Sequence, residues 1–279
     1  MKGRVCVVTG ASSGIGKVTA RALAARGATV ILVVRDEARG AQAAREIRRA
    51  TGSRRVSVRL GDLSSQRSVS ALAAALLAEL PALHVLVNNA GAVFAERALG
   101  EDGLELTFAT NHLGPYLLTR LLLPRLCAST PSRIVNVASE MHRFGTLCWS
   151  DLQHRRGYAP LRAYNAAKLA NVAFTFELSR RLRGTGVTAN AVHPGVIESR
   201  LGGHGTAAFQ DFMHLVGPLL LDEEEGALPL VQLAAEPSLA TVSGKYFRRM
   251  RPARASAEAR DPAVGRRLWE VSERLTGLG

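Results

Sequence analysis

The chain has 279 residues, 47% hydrophobic and 21% charged, a composition of globular rather than disordered proteins and long enough for one large α/β domain spanning 1–279. Its net charge of +13 raises nucleic acid or an anionic surface as partners, but only four of 36 basic residues are lysines. The arginines are scattered without interleaved aromatics or a recognisable module, so no nucleic-acid partner is expected. Cys6, Cys127 and Cys148 lack both metal-ligand spacing and the even count of a disulfide framework, and no run of 18 apolar residues or charged-then-apolar leader occurs. A reducing, cytoplasmic setting is therefore expected, with no metal, secretion signal or integral membrane anchor.

In chain order, residues 4–8 form an apolar run suited to a buried parallel strand. Thr9, Gly10, Ala11, Ser12, Ser13, Gly14, Ile15 and Gly16 follow, and an amphipathic helix begins near Lys17. Strand, glycine turn and helix stand in the order that brings backbone N–H groups and a helix N-terminus to a pyrophosphate. The spacing departs from the usual G-x-G-x-x-G dinucleotide pattern. A second run, 29–34, ends at Arg35 and Asp36, where such a fold meets the adenosine ribose. Asp36 suits a ribose hydroxyl, whereas the planar cation of Arg35 suits a 2′-phosphate.

The third run, 56–60, leads to Asp62 and Leu63. Val69, Leu72, Ala73, Leu76 and Leu80 then share one helical face, and Pro81 marks its end. Residues 85–87 precede Asn88, Asn89, Ala90 and Gly91; Asn111 and His112 come next; 134–138 precede Ser139; and 187–192 precede His193, Pro194, Gly195, Val196 and Ser199. Residues 141–161 and 198–221 are irregular and rich in Gly, His and aromatics. Each follows an expected strand and so belongs at the sheet's carboxyl edge, where ligands bind. The basic stretch 248–260 reads as a solvated tail.

The alternation of strand and helix predicts βαβ units assembled into a parallel sheet with helices on both faces. Tyr164 and Lys168, four residues apart, share one helix face. For acid/base work near neutrality the phenol must fall roughly 3 units below its usual pKa, about 4 kcal/mol. One cation about 4 Å away at an effective dielectric near 20 is worth roughly that much, so Lys168 together with the positive ring of an oxidised dinucleotide supplies the shift. His112, His142 and His193 have no metal-binding spacing with an acidic partner, and no metal site is assigned.

The octapeptide after the first strand closely resembles the cofactor loop of the short-chain dehydrogenase/reductase family. Asp62-Leu63, Asn88-Asn89-Ala90-Gly91, Asn111, Ser139, Tyr164 with Lys168, and Pro194-Gly195 follow in that family's order. The resemblance implies a Rossmann-type doubly wound parallel sheet and a hydride transfer between a nicotinamide cofactor and an alcohol or carbonyl. It further implies that Tyr164 exchanges the proton, Ser139 polarises the reacting oxygen, Lys168 also binds the ribose, and Asn111 organises a water-linked relay to the lysine. The cofactor would meet Gly10, Ser12, Ser13, Gly14, Ile15, Gly16, Asp62, Leu63, Asn89, Ala90, Gly91, Pro194, Gly195, Val196 and Ser199. Arg35 favours NADP(H), while Asp36 leaves NAD(H) open.

The length between Ser139 and Tyr164, with Phe144, Leu147, Trp149 and Asp151-Leu152, is similar to the retinol-dehydrogenase-like branch. Ser199 stands where many members have threonine. An apolar aldehyde, ketone or alcohol is expected between 141–161 and 198–221, with Phe209, Phe212, Met213, Leu215 and Val216 as an apolar wall that competes with a reading as helix or oligomer packing. The alternatives are an NADP-binding regulator without turnover and a nucleotide-sugar-modifying enzyme on a related fold. The resemblance permits a monomer, dimer or tetramer.

Overall fold

The computed structural model describes residues 1–197 and 221–278. Within them one sheet contains β1 (Val5–Thr9), β2 (Thr29–Val34), β3 (Val56–Leu60), β4 (Val85–Asn88), β5 (Ser132–Val137), β6 (Val187–His193), β7 (Tyr246–Arg248) and β8 (Arg251–Ala253). Their order is β3-β2-β1-β4-β5-β6-β7-β8. Neighbours run parallel throughout, except β8, which is antiparallel to β7. The winding reverses between β1 and β4, which opens a crevice at their carboxyl ends.

The helices are α1 (Gly14–Ala25), α2 (Glu37–Thr51), α3 (Gln66–Glu79), α4 (Leu106–Phe108), α5 (Gly114–Ala128), α6 (Pro160–Arg181), α7 (Glu223–Ala235), α8 (Ala257–Arg260) and α9 (Pro262–Leu275). Strand side chains alternate between two cores, as a sheet covered on both faces requires. Val7, Ile31, Val33, Leu86 and Ile134 point toward Val69, Leu72 and Leu76 of α3, Leu117 and Leu118 of α5, and Phe174 of α6. Cys6, Val8, Val30, Leu32, Val34, Val85, Val87, Val135 and Val137 point toward Leu23 of α1, Ile47 of α2 and Leu230 of α7. The expected face of α3 is the buried one, and the helix stops one residue before Leu80.

One feature differs from the sequence expectation. The basic stretch is no tail: β7 and β8 extend the sheet through a hairpin whose turn holds Arg249 at φ 53. Phe247 and Ala255 are buried while the arginines Arg248, Arg251 and Arg254 face solvent. Backbone pairing with β6 organises a segment whose short strands carry too few apolar side chains to signal a strand. Beyond it, α9 lays Leu268 and Trp269 on the core shared by α5 and α6. Trp269 packs edge-on against Tyr116 at 5.3 Å and lies under the guanidiniums of Arg120 and Arg181.

Buried amides brace the centre of the sheet. Asn88 Nδ2 donates to Thr119 Oγ1 at 2.9 Å and to Asn136 Oδ1 at 2.8 Å. Asn136 Nδ2 in turn donates to Thr175 Oγ1 at 2.9 Å, whose hydroxyl donates to Asn171 O at 2.7 Å. This chain crosses from α5 through β4 and β5 to α6, the helix that carries Tyr164. Breaking a buried network leaves its partners desolvated. Asn136→Ala should therefore cost about 1–3 kcal/mol in urea unfolding; a loss below about 0.5 kcal/mol, the scale of a neutral surface change, would contradict the bracing role.

Candidate active site

At the carboxyl edge, the glycine turn is tied to β4 by a few short bonds. Thr9 Oγ1 accepts the backbone N–H groups of Asn89 and Ala90 at 2.9 and 3.0 Å. Asn89 Nδ2 donates to Thr9 O at 2.9 Å and to Gly10 O at 3.3 Å. The turn fits this close only because position 16 is glycine: a Cβ there would lie 2.4 Å from both Asn89 Nδ2 and Gly10 O. These contacts bring Gly10, Gly16, Asn89 and Ala90 together.

The N-terminus of α1 differs from those of its neighbours. Asp36, Ser65, Asp222 and Asp261 cap α2, α3, α7 and α9 by accepting a backbone N–H. Ser13 makes no such bond, and the first turn of α1 carries no acid. A cleft of about 280 Å³ opens beside it, lined by Ser12, Ser13, Gly14, Lys17, Arg39, Gln42, Ala43, Glu46 and Glu223. Lys17 pairs with Glu46. Arg35 is exposed at the end of β2, whereas Asp36 spends Oδ1 on Arg39 N at 2.9 Å. Arg39, in the first turn of α2, was not singled out by the sequence; an arginine among other surface arginines carries no local signal.

Asp62 Oδ1 accepts from Ser64 N at 2.9 Å and from Ser64 Oγ at 2.7 Å, which fixes the turn after β3. Leu63 is buried against the start of α5, where a Cβ on Gly114 would lie 2.1 Å from Leu63 O. Pro194 is buried, Gly195 takes φ 118, and Val196 O accepts Leu221 N at 2.8 Å. Ser199, Phe209, Phe212, Met213, Leu215 and Val216 lie outside the described residues.

Lys168 is only 3% exposed. Its Nζ donates to Val137 O at 3.2 Å and stands 5.4 Å from the centroid of the Tyr164 ring. Gly91 brings Asn111 to the same place: a Cβ on Gly91 would meet Asn111 Oδ1 at 2.8 Å and Lys168 Nζ at 3.4 Å. Asn111 sits in a π-helical turn, Ala109–Leu113, between α4 and α5. Its Nδ2 donates to Ala92 O at 2.7 Å and to Thr107 O at 2.8 Å, and Oδ1 accepts Ala92 N at 3.3 Å. The side-chain amide braces the loop after β4.

Burial dominates the titration of the pair. It pushes the Tyr164 phenol up to about 12, with a hydrogen bond from the Ser139 side chain pulling the other way. It pushes Lys168 down to about 8. In the protein alone, desolvation of the phenolate outweighs the neighbouring bond; the lowering expected from Lys168 together with an oxidised nicotinamide concerns the cofactor-bound protein.

Ser139, two residues past β5, caps the short 3-10 segment Glu140–Phe144, accepting Met141 N at 3.2 Å. His142, fully buried, explains how it is held. Nδ1 donates to Ser139 O at 2.7 Å while Nε2 accepts Ser256 N at 3.2 Å, which fixes one neutral tautomer. Its ring lies 4.8 Å from that of Tyr246, whose hydroxyl donates to Glu140 Oε1 at 2.5 Å. The C-terminal hairpin thus holds the serine turn through partners more than 100 residues away, which no local pattern announces. Of the apolar residues expected at a substrate site in 141–161, Leu147 and Leu152 enter the core and Trp149 packs under Arg267, leaving Phe144 exposed. His112 is buried, and its Nε2 meets Ser272 Oγ of α9 at 2.8 Å. Among the described residues no group of His, Cys, Asp and Glu is arranged for a metal ion.

The buried ammonium has a stability consequence. Lys168 holds its proton up to about 10.5 when unfolded and about 8 when folded. Between those values the unfolded chain binds more protons, so stability rises with pH; below about 8 the full cost applies, on the order of 3 kcal/mol. Lys168→Met should stabilise the apoprotein at pH 7, with a gain that shrinks at pH 9.5, as read by urea unfolding. Equal destabilisation at both pH values would contradict a strained lysine.

A family model described as short chain dehydrogenase matches residues 4–207. Human (Homo sapiens) retinol dehydrogenase 12 is 45% identical over 278 residues, 100% of this chain and 88% of its own. Human retinol dehydrogenase 13 is 44% identical over 282 residues, 99% of this chain and 85% of its own. An uncharacterized protein from Mycobacterium paratuberculosis superposes with a TM-score of 0.81 at 37% identity, covering 99% of this chain and 94% of that one. Actinorhodin polyketide ketoreductase with NADPH gives a TM-score of 0.69 at 28% identity, covering 88% and 95%. The chain belongs to the short-chain dehydrogenase family of oxidoreductases and resembles its retinol-dehydrogenase-like branch.

Proposed function

We propose that the protein transfers a hydride between NADP(H) and a predominantly apolar alcohol, aldehyde or ketone, with Tyr164, Ser139, Lys168 and Asn111 serving the reaction. The observation that carries this reading is the meeting of the Tyr164 phenol, the Ser139 hydroxyl and the buried Lys168 ammonium at the carboxyl edge. The names of the relatives, retinol dehydrogenases, support an apolar alcohol or carbonyl.

The residues present fit a dinucleotide. The uncapped first turn of α1 offers backbone N–H groups and the positive end of its dipole to a pyrophosphate. Gly14 leaves the space above it open, since a Cβ there would approach nothing nearer than Glu223 Oε1 at 3.9 Å. Arg35, with Arg39 one turn further on, would hold a 2′-phosphate; Asp36, engaged in capping α2, is the weaker competitor as a ribose acceptor. Asn89, Ala90, Gly91 and the turn Pro194, Gly195 and Val196 would border the rest, with Asp62 and Leu63 at the adenine. When bound, the nicotinamide accepts or supplies the hydride.

In carbonyl reduction, Ser139 Oγ–H donates a hydrogen bond to the substrate oxygen and stabilises the charge that develops on it. Tyr164 gives its phenolic proton to that oxygen. A phenol held up to about 12 is protonated at neutral pH and is thus ready as the acid. Lys168 stabilises the phenolate left behind, an interaction that grows as charge appears and so favours the transition state over the ground state. Asn111 fixes the loop that faces Lys168. In alcohol oxidation the same groups act in reverse. Among the described residues no helix is long and apolar enough to cross a membrane.

Tyr164→Phe keeps the ring and removes the proton, so kcat with NADPH and a medium-chain aldehyde should fall by about 10²–10⁴-fold while NADPH binding persists; near-normal turnover would remove Tyr164 from this role. Ser139→Ala should lower kcat by about 10²-fold or more, with little change in cofactor binding.

Selectivity for NADPH should depend on Arg35. Arg35→Ala should reduce the ratio of kcat/KM for NADPH over NADH by roughly tenfold or more, the worth of a charge-assisted bond of about 1.5–3 kcal/mol. A wild-type preference for NADH that Arg35→Ala leaves untouched would transfer the selector role to Asp36.

A further inference from the structure

One concavity among the described residues lies away from the carboxyl edge. A cavity of about 1140 Å³ lies at the opposite, amino-terminal edge of β5, β6 and β7. Its walls come from Pro131 before β5, the end of α6, Val187 and Thr188 at the start of β6, the loop leading into β7, and Ala253, Arg254, Ala255, Arg260 and Pro262 beyond it. The floor is apolar: Leu182, Val187, Tyr246 and Ala255 are buried there. Its ionisable lining is of one sign, for Arg180, Arg183, Lys245, Arg254 and Arg260 line it and no Asp or Glu does. Arg180 is neutralised by Glu177. The other four are exposed, and none has a carboxylate partner among the described residues.

From this arrangement we infer that the amino-edge cavity binds one anionic amphiphile, a hydrocarbon chain ending in a carboxylate or acidic lipid headgroup. The apolar floor takes the chain and the rim cations take the head. Both parts are needed: exposed cations alone bind small anions weakly in water, and an apolar hollow alone does not choose a charged ligand. A second copy of the chain is the wrong occupant, because a two-fold contact would set four unneutralised cations against four more. A polyanion is also a poor match, since the apolar floor would find no counterpart on a phosphate backbone. The site is separated from Tyr164 by the length of the strands, so this ligand and the substrate would not compete.

Decanoate, used as monomer and titrated calorimetrically into the full chain, tests the inference. We expect saturable one-to-one binding, decanol at least tenfold weaker, and acetate without measurable binding. The double substitution Lys245→Glu with Arg254→Glu, at two exposed positions outside the proposed catalytic set, should weaken decanoate at least tenfold while aldehyde reduction stays normal and reports an intact fold. Tyr164→Phe and saturation with NADPH should leave decanoate binding unchanged. Sedimentation with acidic phospholipid vesicles sorts the source of the head: vesicle binding abolished by the double substitution supports a lipid, and decanoate binding without vesicle binding supports a free carboxylate. Absence of saturable decanoate binding, equal affinity for decanol, indifference to the charge reversals, or vesicle binding without decanoate binding would overturn it.

Discussion

A lysine ammonium taken out of water against a single backbone carbonyl is the constraint around which the catalytic edge is built. Lys168 is 3% exposed and donates to Val137 O at 3.2 Å, and among the described residues no carboxylate pairs with it. Such a charge persists only where the surrounding structure fixes it, and that structure is extensive. The Asn88, Asn136 and Thr175 chain locks α6 to the middle of the sheet, Asn111 is anchored by three bonds to backbone, and Gly91 lets both approach. Stability is given up at Lys168 and recovered in two apolar cores that sandwich the sheet.

The two halves of the carboxyl edge have different work. The glycine turn, the uncapped N-terminus of α1 and the exposed arginine at the end of β2 form a surface suited to phosphates. The ends of β4 and β5 with α6 gather half-buried Ser139 and Tyr164 beside buried Asn111 and Lys168, an arrangement suited to a proton transfer beside a hydride transfer. They are joined by Thr9 and Asn89, whose side chains tie the first strand's turn to the fourth strand. A change at either residue would therefore be felt on both sides.

Much of this was legible in the sequence because it depends on local order. The apolar runs of β1 to β6 and the spacing of Tyr164 and Lys168 report themselves, as does the glycine turn after β1. Family resemblance then placed Asn111 and Ser139 near them. What was not legible depends on distant pairing. β7 and β8 are three residues each and are made strands by pairing, β7 on β6 and β8 on β7, not by their own composition. His142 looked like one more histidine near a motif, yet it holds the Ser139 carbonyl because Ser256 supplies its other ring nitrogen with a partner. The burial that raises the Tyr164 phenol in the protein alone is likewise set by tertiary packing, since a four-residue separation reveals the cation and says nothing about desolvation.

The claim on which all of this rests is that a hydride passes between a nicotinamide carbon and a carbonyl carbon while the protein handles only the proton. Reduction of a medium-chain aldehyde with NADPH doubly deuterated at the nicotinamide C4 tests it most directly, by mass spectrometry of the alcohol. The account predicts one deuterium on the carbinol carbon of every product molecule, and none on that carbon when unlabelled NADPH is used in deuterated water. Deuterium reaching the carbon from solvent, or no transfer from the labelled cofactor to any carbonyl of an apolar series, would contradict it.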